Sequence, residues 1–177
     1  MMLRSLGWLA VATMSLSAGA AIAQTGKSAD ADAQPQVPDE VTAQMSDTCA
    51  PLGESRGISP QHYSSEEMGG DLWLTPCNAG AYQISYEAIY QAEDTAPPRK
   101  LLFAQWRNGS WTGTELLFNP TFDPATGVLS DQYKDRGAGG CGGERTWEWQ
   151  EGGFRLIEYR AQETCQNEAG EYPVIFE

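Results

Sequence analysis

The chain has 177 residues, 41% of them apolar and 10% aromatic, a length that suits one ordinary domain. Its 24 acidic residues outnumber 11 basic ones and give a net charge of -13. This balance excludes the basic surface that nucleic-acid and anionic-lipid binding require, and it favours a cationic or neutral partner.

Residues 1–23 have the parts of a secretory signal peptide in the right order. Arg4 provides the positive start, an apolar stretch follows, and Ala21 and Ala23 form a small-residue cleavage site. Polar and small residues interrupt the stretch before it reaches the roughly 20 apolar residues that a membrane-spanning helix needs. We therefore predict cleavage after Ala23, export to the periplasm and no membrane insertion of the mature chain.

Residues 24–48 consist mainly of Asp, Ala, Gln and Pro with few large apolar side chains. Such a segment buries too little surface to offset the entropy lost on ordering, so the sequence predicts a disordered acidic tether. From Cys49 onward the composition changes to short apolar and aromatic runs separated by Gly, Pro, Asn and Asp. That pattern predicts a mainly β, antiparallel domain over residues 49–177.

About eight short strands are expected in this domain. They are residues 71–76, 81–91, 100–107, 110–118, 128–134, 144–150, 153–161 and 172–176. Residues 64–68 are expected to form one helical turn before two glycines. Tyr82, Tyr86 and Tyr90 have the same parity in one predicted strand and should project from one face of the sheet.

Asn108 and Gly109 predict a type I′ hairpin, because both residues tolerate the positive φ that this turn needs. The register places Trp106 opposite Trp111 near the hairpin tip. Their position makes these two tryptophans candidates for partner binding. The alternative is that large aromatic side chains fill the core of a small domain.

A second hairpin is predicted at Glu151 and Gly152, with Glu148 facing Arg155 and Arg145 facing Glu158. The same register pairs Trp149 with Phe154 and Trp147 with Leu156.

All four cysteines follow the predicted cleavage site, an even number that indicates two disulfides in an exported chain. The second hairpin brings Cys141 close to Cys165, which favours this pair and leaves Cys49 with Cys77. Four cysteines allow three connectivities, and register alone does not decide among them. No two cysteines have metal-ligand spacing, so no structural metal site is expected.

Residues 137–142 match the pattern G-x-G-x-x-G, but they follow charged residues rather than a buried strand. A dinucleotide fingerprint needs a strand before it and a helix after it, so no cofactor is expected. Asp123 lies in a turn without the alternating carboxylates of a calcium loop. His62 could join Ser64, Ser65 or Asp71 in a catalytic arrangement, yet no nucleophile-elbow sequence accompanies it.

Four motifs together carry a family resemblance. They are Cys-Asn-Ala-Gly-Ala-Tyr at 77–82, the turn segment at 122–130, the glycine-rich segment at 136–142, and Thr-Trp-Glu-Trp at 146–149 with the strand at 154–160. The chain resembles the bacterial exported family catalogued as domain of unknown function 1176, over residues 72–165. The resemblance is to the C-terminal part alone of the longer family members. The resemblance implies an envelope or periplasmic location in Gram-negative bacteria and supplies no catalytic residues.

The sequence favours a non-catalytic periplasmic module that binds an envelope protein or a glycan, for example an inhibitor of a cationic cell-wall hydrolase. The acidic charge, the aromatic content and the lack of an assembled catalytic motif support this hypothesis. One alternative is a periplasmic glycan hydrolase with paired carboxylates, which depend on three-dimensional separation. The other alternative is a structural accessory domain.

Overall fold

The computed structural model describes residues 35–49, 58–92, 96–136, 140–166 and 170–177. The predicted signal peptide, residues 1–23, and the first part of the predicted tether lie outside these residues. The fold is mainly antiparallel β, as the sequence predicts. No helix in the described ranges is both long and apolar enough to cross a membrane.

Sheet one contains five strands and is formed by the earlier part of the chain. Its strands are β1 (Gln61–Ser65), β2 (Gly70–Ala79), β3 (Ile84–Ala92), β4 (Arg99–Lys100) and β7 (Leu116–Phe118). They lie in the order β1-β2-β3-β4, and β7 also pairs with β3. A short helix, α1 (Asp39–Thr42), precedes the sheet in the sequence.

Sheet two contains five strands from the later part of the chain, in the order β12-β11-β10-β9-β8. Its strands are β8 (Thr121–Asp123), β9 (Val128–Lys134), β10 (Gly142–Gln150), β11 (Gly153–Gln162) and β12 (Val174–Phe176). A separate hairpin consists of β5 (Phe103–Arg107) and β6 (Ser110–Thr114).

The inner faces of the two sheets share one apolar core. Alternating residues of β2 and β3 supply one side, including Leu74 and Tyr90, and Leu129 and Trp147 supply the other. Phe103 lies between them with its ring 5.0 Å from that of Trp147. Burial of these large side chains is the main force that holds the two sheets together.

Two strands of the structure were not predicted. β1 alternates between half-buried and exposed positions, and its hydroxyl and amide side chains lack the apolar pattern of a strand. Part of it occupies residues 64–68, where the expected helical turn is instead the end of β1 and a turn. β8 has only three residues and lies between Pro120 and Pro124. The predicted strands 100–107 and 110–118 are each divided in two.

The hairpin at Glu151 and Gly152 has the predicted turn, with φ of 48° and 82° at these residues. Glu148 faces Arg155 as expected, but Arg145 faces Tyr159 rather than Glu158. A bulge between Thr146 and Trp147 shifts the register by one residue. The predicted Arg145–Glu158 pair is therefore wrong, and Arg145 points into the protein.

Both disulfides join the predicted cysteines. Cys49 is bonded to Cys77 and Cys141 to Cys165, with Cα–Cα distances of 4.4 Å in each case. All four cysteines are thus oxidised. Disulfides of this kind persist in an oxidising compartment, either extracellular or periplasmic.

Residues 35–49, which we name the N-terminal segment, lie against the outer face of sheet one. Val41 is fully buried between Trp73 and Ile89. The Ser46 amide donates to Glu87, and the Ser46 hydroxyl lies within hydrogen-bond distance of the Glu87 and Glu115 carboxylates. The structured domain therefore begins before Cys49, the boundary set from composition. Val41, Ser46 and the Cys49–Cys77 disulfide hold this segment in place, although its average composition indicates disorder.

The predicted row of three tyrosines contains two members. Tyr86 and Tyr90 point from β3 into the core, where the Tyr90 hydroxyl donates to the carbonyl oxygen of Met68 at 2.8 Å. Tyr82 precedes β3 and is 72% exposed. Tyr86 and Tyr90 therefore fill the core, as expected if large aromatic side chains pack inside the domain rather than bind a partner.

Candidate binding surface

The β5–β6 hairpin has the turn that its sequence predicts. Asn108 and Gly109 have φ of 52° and 70°, as a type I′ turn requires. Trp106 faces Trp111 across the hairpin, and their ring centroids are 5.3 Å apart in an edge-to-face arrangement. The turn thereby fixes both tryptophans on one short, two-stranded element.

Carboxylates that directly follow β9 and β11 hold this hairpin in place. Arg107 makes two hydrogen bonds to the Asp135 carboxylate, at 2.9 and 2.8 Å. These bonds raise the pKa of Arg107 despite its partial burial. The Glu163 carboxylate accepts hydrogen bonds from the amides of Asn108 and Gly109 at the turn. The hairpin tip is therefore braced at both the strand and the turn.

The two candidate tryptophans have different environments. Trp106 is half-buried and packs against a cluster of Tyr133, Tyr159 and Ala161, and its amide donates to the Tyr159 hydroxyl at 3.0 Å. Trp111 is 45% exposed and lies edge-on to Tyr159 at 5.4 Å. Trp106 thus packs the hairpin against this cluster, whereas part of the Trp111 ring is exposed to solvent.

Strand β12 extends the exposed apolar surface next to Trp111. The Phe176 ring lies 6.3 Å from that of Trp111 and is 41% exposed. Val174, two residues earlier, is 44% exposed, but the register shift opposite Tyr159 and Arg160 separates it from Phe176 along the strand. We name Trp111 and Phe176 the apolar patch. Phe176 was not a candidate from the sequence, because strand periodicity does not reveal which face a neighbouring hairpin leaves uncovered.

Carboxylates lie near both elements that form the apolar patch. Glu171 and Glu177 lie on either side of β12 in the sequence. Together with Glu158 they raise the pKa of Arg160, and the hydrogen bond that Arg160 donates to Glu158 is the largest cause. Glu163 lies at the hairpin turn. Exposed apolar side chains with an acidic border are suited to a partner with a complementary apolar element and basic rim.

A polar cluster beside sheet one contains a serine and a lysine in contact. Lys100 Nζ lies 2.5 Å from Ser46 Oγ, 3.1 Å from Glu87 and 3.0 Å from Glu115. Burial disfavours the charged lysine, but the hydrogen bonds and charges of the two glutamates outweigh it and raise the pKa of Lys100. A lysine held in its protonated form cannot activate Ser46 as a general base.

The same cluster is unsuited to paired-carboxylate hydrolysis. That chemistry needs one carboxyl group that keeps its proton near neutral pH. The hydrogen bonds from Ser46 and Lys100 instead lower the pKa of Glu115, and Glu87 is bound to the same ammonium group. The cluster therefore attaches the N-terminal segment to sheet one rather than presenting an acid and a base.

His62 forms a surface pair with Asp71 across β1 and β2, with Nε2 2.7 Å from Oδ1. Its ring stacks on Trp73 at 4.1 Å. In the ranges that the structure describes, no hydrogen bond joins His62 to Ser64 or Ser65. The histidine and carboxylate are thus brought together as the sequence allowed, without an aligned nucleophile.

The side chains considered as metal ligands are already bonded or hydrogen-bonded to other groups. Cys49, Cys77 and Glu87 form the one cluster of three such side chains in the described ranges, with ligand atoms within 4.8 Å of one another. The two sulfur atoms are bonded to each other and so offer no thiolate. Asp123 uses its carboxylate to cap its own turn, accepting from Ala125 and Thr126 at 2.9 Å each.

Comparison with known proteins identifies relatives by sequence. The chain is 34% identical over 98 residues to the protein named "Uncharacterized protein YpfG" of Escherichia coli (strain K12), a match that covers 54% of this chain and 28% of that protein. The chain thus spans well under half of that relative's length. No solved structure matches. A family model described as "Protein of unknown function (DUF1176)" matches residues 17–176. Because this match covers most of the sequence, the chain belongs to the DUF1176 family.

Proposed function

We propose that this protein is an exported, non-catalytic binding module that docks a basic envelope protein on its apolar patch. The observation that carries the proposal is the exposure of Trp111 on a hairpin that Arg107 and Glu163 brace against sheet two. A rigid, exposed tryptophan loses little entropy on binding and is a common anchor of protein interfaces.

Charge supports the choice of partner. The net charge of -13 favours the approach of cations. Glu163 lies at the hairpin turn, and Glu171 and Glu177 flank β12 in the sequence. A basic partner would associate quickly at low salt and more slowly as salt screens the attraction. An inhibitor of a cationic cell-wall hydrolase such as lysozyme is one function of this kind.

Export to the periplasm is part of the proposal. Two formed disulfides support an oxidising compartment. The order of features in residues 1–23 supports a cleaved signal peptide.

Crosslinking and affinity capture from envelope extracts test the proposal, with the mature protein and Trp111→Ala compared at low and high salt. We expect one partner at near-stoichiometric yield, loss of at least tenfold with Trp111→Ala, and weaker capture at high salt. The purified partner should then bind the unmodified protein more tightly than it binds Trp111→Ala, and more tightly at low salt than at high salt. Lysozyme lysis assays with the same pair of variants test the specific inhibitor hypothesis.

Tyr82→Ala is the matched control, since Tyr82 is also an exposed aromatic residue but lies outside the patch. Equal capture by all three proteins would contradict the proposed docking surface. If none of the three proteins enriches a partner, the binding function is contradicted and the structural accessory alternative is favoured.

A further inference from the structure

The outer face of sheet two contains a furrow that the apolar patch does not use. Thr121, Ser130 and Thr146 are cross-strand neighbours on β8, β9 and β10. The residues that flank them in sequence, such as Leu129 and Trp147, point into the core, so the three hydroxyl side chains point outward. They form a floor of short side chains across three strands.

Longer side chains border this floor. The next cross-strand row contains Gln132 and Glu144, and the Gln132 amide donates to the Glu144 carboxylate at 2.8 Å. On the opposite side, Glu148 faces Arg155 and accepts a hydrogen bond from it at 3.3 Å. A row of short residues beside longer ones leaves space above the sheet, and the cavity there is lined on the Gln132 and Glu144 side.

The depression has a volume of about 300 Å³, at the lower end of the range for small-molecule pockets. The exposed and half-buried residues that line it carry hydroxyl, amide and carboxylate groups; they are Asn119, Thr121, Ser130, Gln132, Glu144 and Thr146. Asp131 and Arg145 also line it, but their side chains are fully buried and paired with each other. Asn119 is held in place because its Oδ1 accepts from the Ile84 amide at 3.0 Å. The border on the Gln132 side and the Asn119 end are thus fixed by hydrogen bonds.

The chemistry of the lining specifies the ligand class. Hydroxyl groups both donate and accept, amides offer one of each function, and a carboxylate accepts only. A ligand rich in hydroxyl groups satisfies this mixture, whereas the Glu144 carboxylate disfavours an anion. We propose that the furrow is a binding site for a neutral saccharide, independent of the protein-docking patch.

Titration of the 15N-labelled protein with N-acetylglucosamine and its β-1,4-linked trimer, followed by amide chemical shifts, tests this proposal. We expect saturable shifts centred on Ser130, Gln132 and Thr146, with the trimer binding more tightly than the monosaccharide. Glucuronic acid should bind more weakly than either because of its charge. Affinity should be modest, since the lining offers polar groups without a stacking ring.

Thr146→Val removes one hydroxyl group at nearly constant shape and retains a residue that suits a strand. We expect a roughly fivefold weaker trimer affinity, the effect of one hydrogen bond of about 1 kcal/mol. Thr112→Val on β6 is the control for the same change away from the furrow and should bind as the unmodified protein does. Thermal unfolding of both variants shows whether the fold is intact.

Three results would overturn the proposal. They are an absence of shifts with the saccharides at tens of millimolar, shifts centred on Trp111 instead of the furrow, and equal affinities for Thr146→Val and Thr112→Val. If Thr146→Val unfolds, Ser130→Ala takes its place with the same expected loss. Because the readout is saccharide binding at a mapped position, its result is separate from the capture experiment on the apolar patch.

Discussion

The guanidinium of Arg145 is fully buried and has partners on several sides. It forms an ion pair with Asp131, donates to the carbonyl oxygen of Leu116 at 3.1 Å and lies over the Trp147 ring at 5.0 Å. The amide of Phe118 donates to Asp131 as well, at 2.8 Å. Because Leu116 and Phe118 lie in β7 and Arg145 in β10, this pair connects sheet one to sheet two.

Removing one member of this pair should be costly. Arg145→Met leaves the Asp131 carboxylate buried without its cation, so we expect a loss of about 3–5 kcal/mol in the free energy of unfolding. The double variant Arg145→Met with Asp131→Leu should recover a large part of that loss. Urea unfolding of the three proteins measures the difference, and a double variant less stable than Arg145→Met would contradict this account.

Glu115 provides a test by pH. Hydrogen bonds from Ser46 and Lys100 lower its pKa in the folded protein. A lowered folded pKa adds stability that is full above the unfolded pKa and is lost as pH falls through the folded pKa. We expect Glu115→Gln to cost less than about 1 kcal/mol at neutral pH because the side chain is partly exposed.

The difference between Glu115→Gln and the unmodified protein should shrink as pH falls from about 6 to about 3. Urea unfolding at several pH values measures it. Glu67→Gln, at an exposed position in the β1–β2 turn, is the matched control. A difference that is constant with pH would show that the Glu115 charge does not hold the N-terminal segment.

At the scale of single elements, the β5–β6 turn depends on the backbone conformation of Gly109. A Cβ atom at Gly109 would meet no atom within 4 Å, so only its φ of 70° opposes another residue there. We expect Gly109→Ala to destabilise the protein by about 1 kcal/mol. Gly113→Ala, on β6 with equally open surroundings and no positive φ, should change stability by less than about 0.5 kcal/mol. Thermal unfolding compares the two variants, and equal effects would contradict the conformational explanation.

Removing each of the two disulfides should affect the N-terminal segment differently. They close segments of similar length, with sequence separations of 28 and 24 residues, so each double Cys→Ser variant should lose about 3 kcal/mol of stability. Only the Cys49→Ser, Cys77→Ser variant should speed hydrogen exchange in residues 35–49, since Cys49 ends the N-terminal segment. Exchange that is unchanged there, or equally faster in the Cys141→Ser, Cys165→Ser variant, would show that Val41 and Ser46 suffice to hold it.

Across the whole molecule, the sequence predicts features that depend on neighbouring residues. The antiparallel β class, both hairpin turns, the Trp106–Trp111 pair and both disulfides follow from turn chemistry and strand register, and all are present. Closeness to a turn does not distinguish exposed Trp111 from half-buried Trp106, which faces it across the hairpin.

Features set by distant contacts could not be predicted in this way. The bulge at Thr146 changed the partner of Arg145, and the contact of Val41 with Trp73 ordered a segment of polar composition. Phe176 joined the patch because the β5–β6 hairpin packs beside β12. Such contacts depend on how sheets and loops meet in space, which one sequence does not encode in its local pattern.

The placement of the disulfides has a consequence for the connectivity of the chain. Cys49–Cys77 lies within the part that forms sheet one, and Cys141–Cys165 within the part that forms sheet two. With no cysteine unpaired, only the backbone between β7 and β8 joins the two halves covalently.

A backbone break between Phe118 and Thr121 would therefore give two separately cross-linked fragments, whose common core and Arg145–Asp131 contacts offer a complementary interface. We expect the two co-expressed halves to reassemble into one complex, and size-exclusion chromatography with near-UV circular dichroism would detect it. The protein would then serve as a split reporter, one that detects when two fused molecules meet in an oxidising compartment.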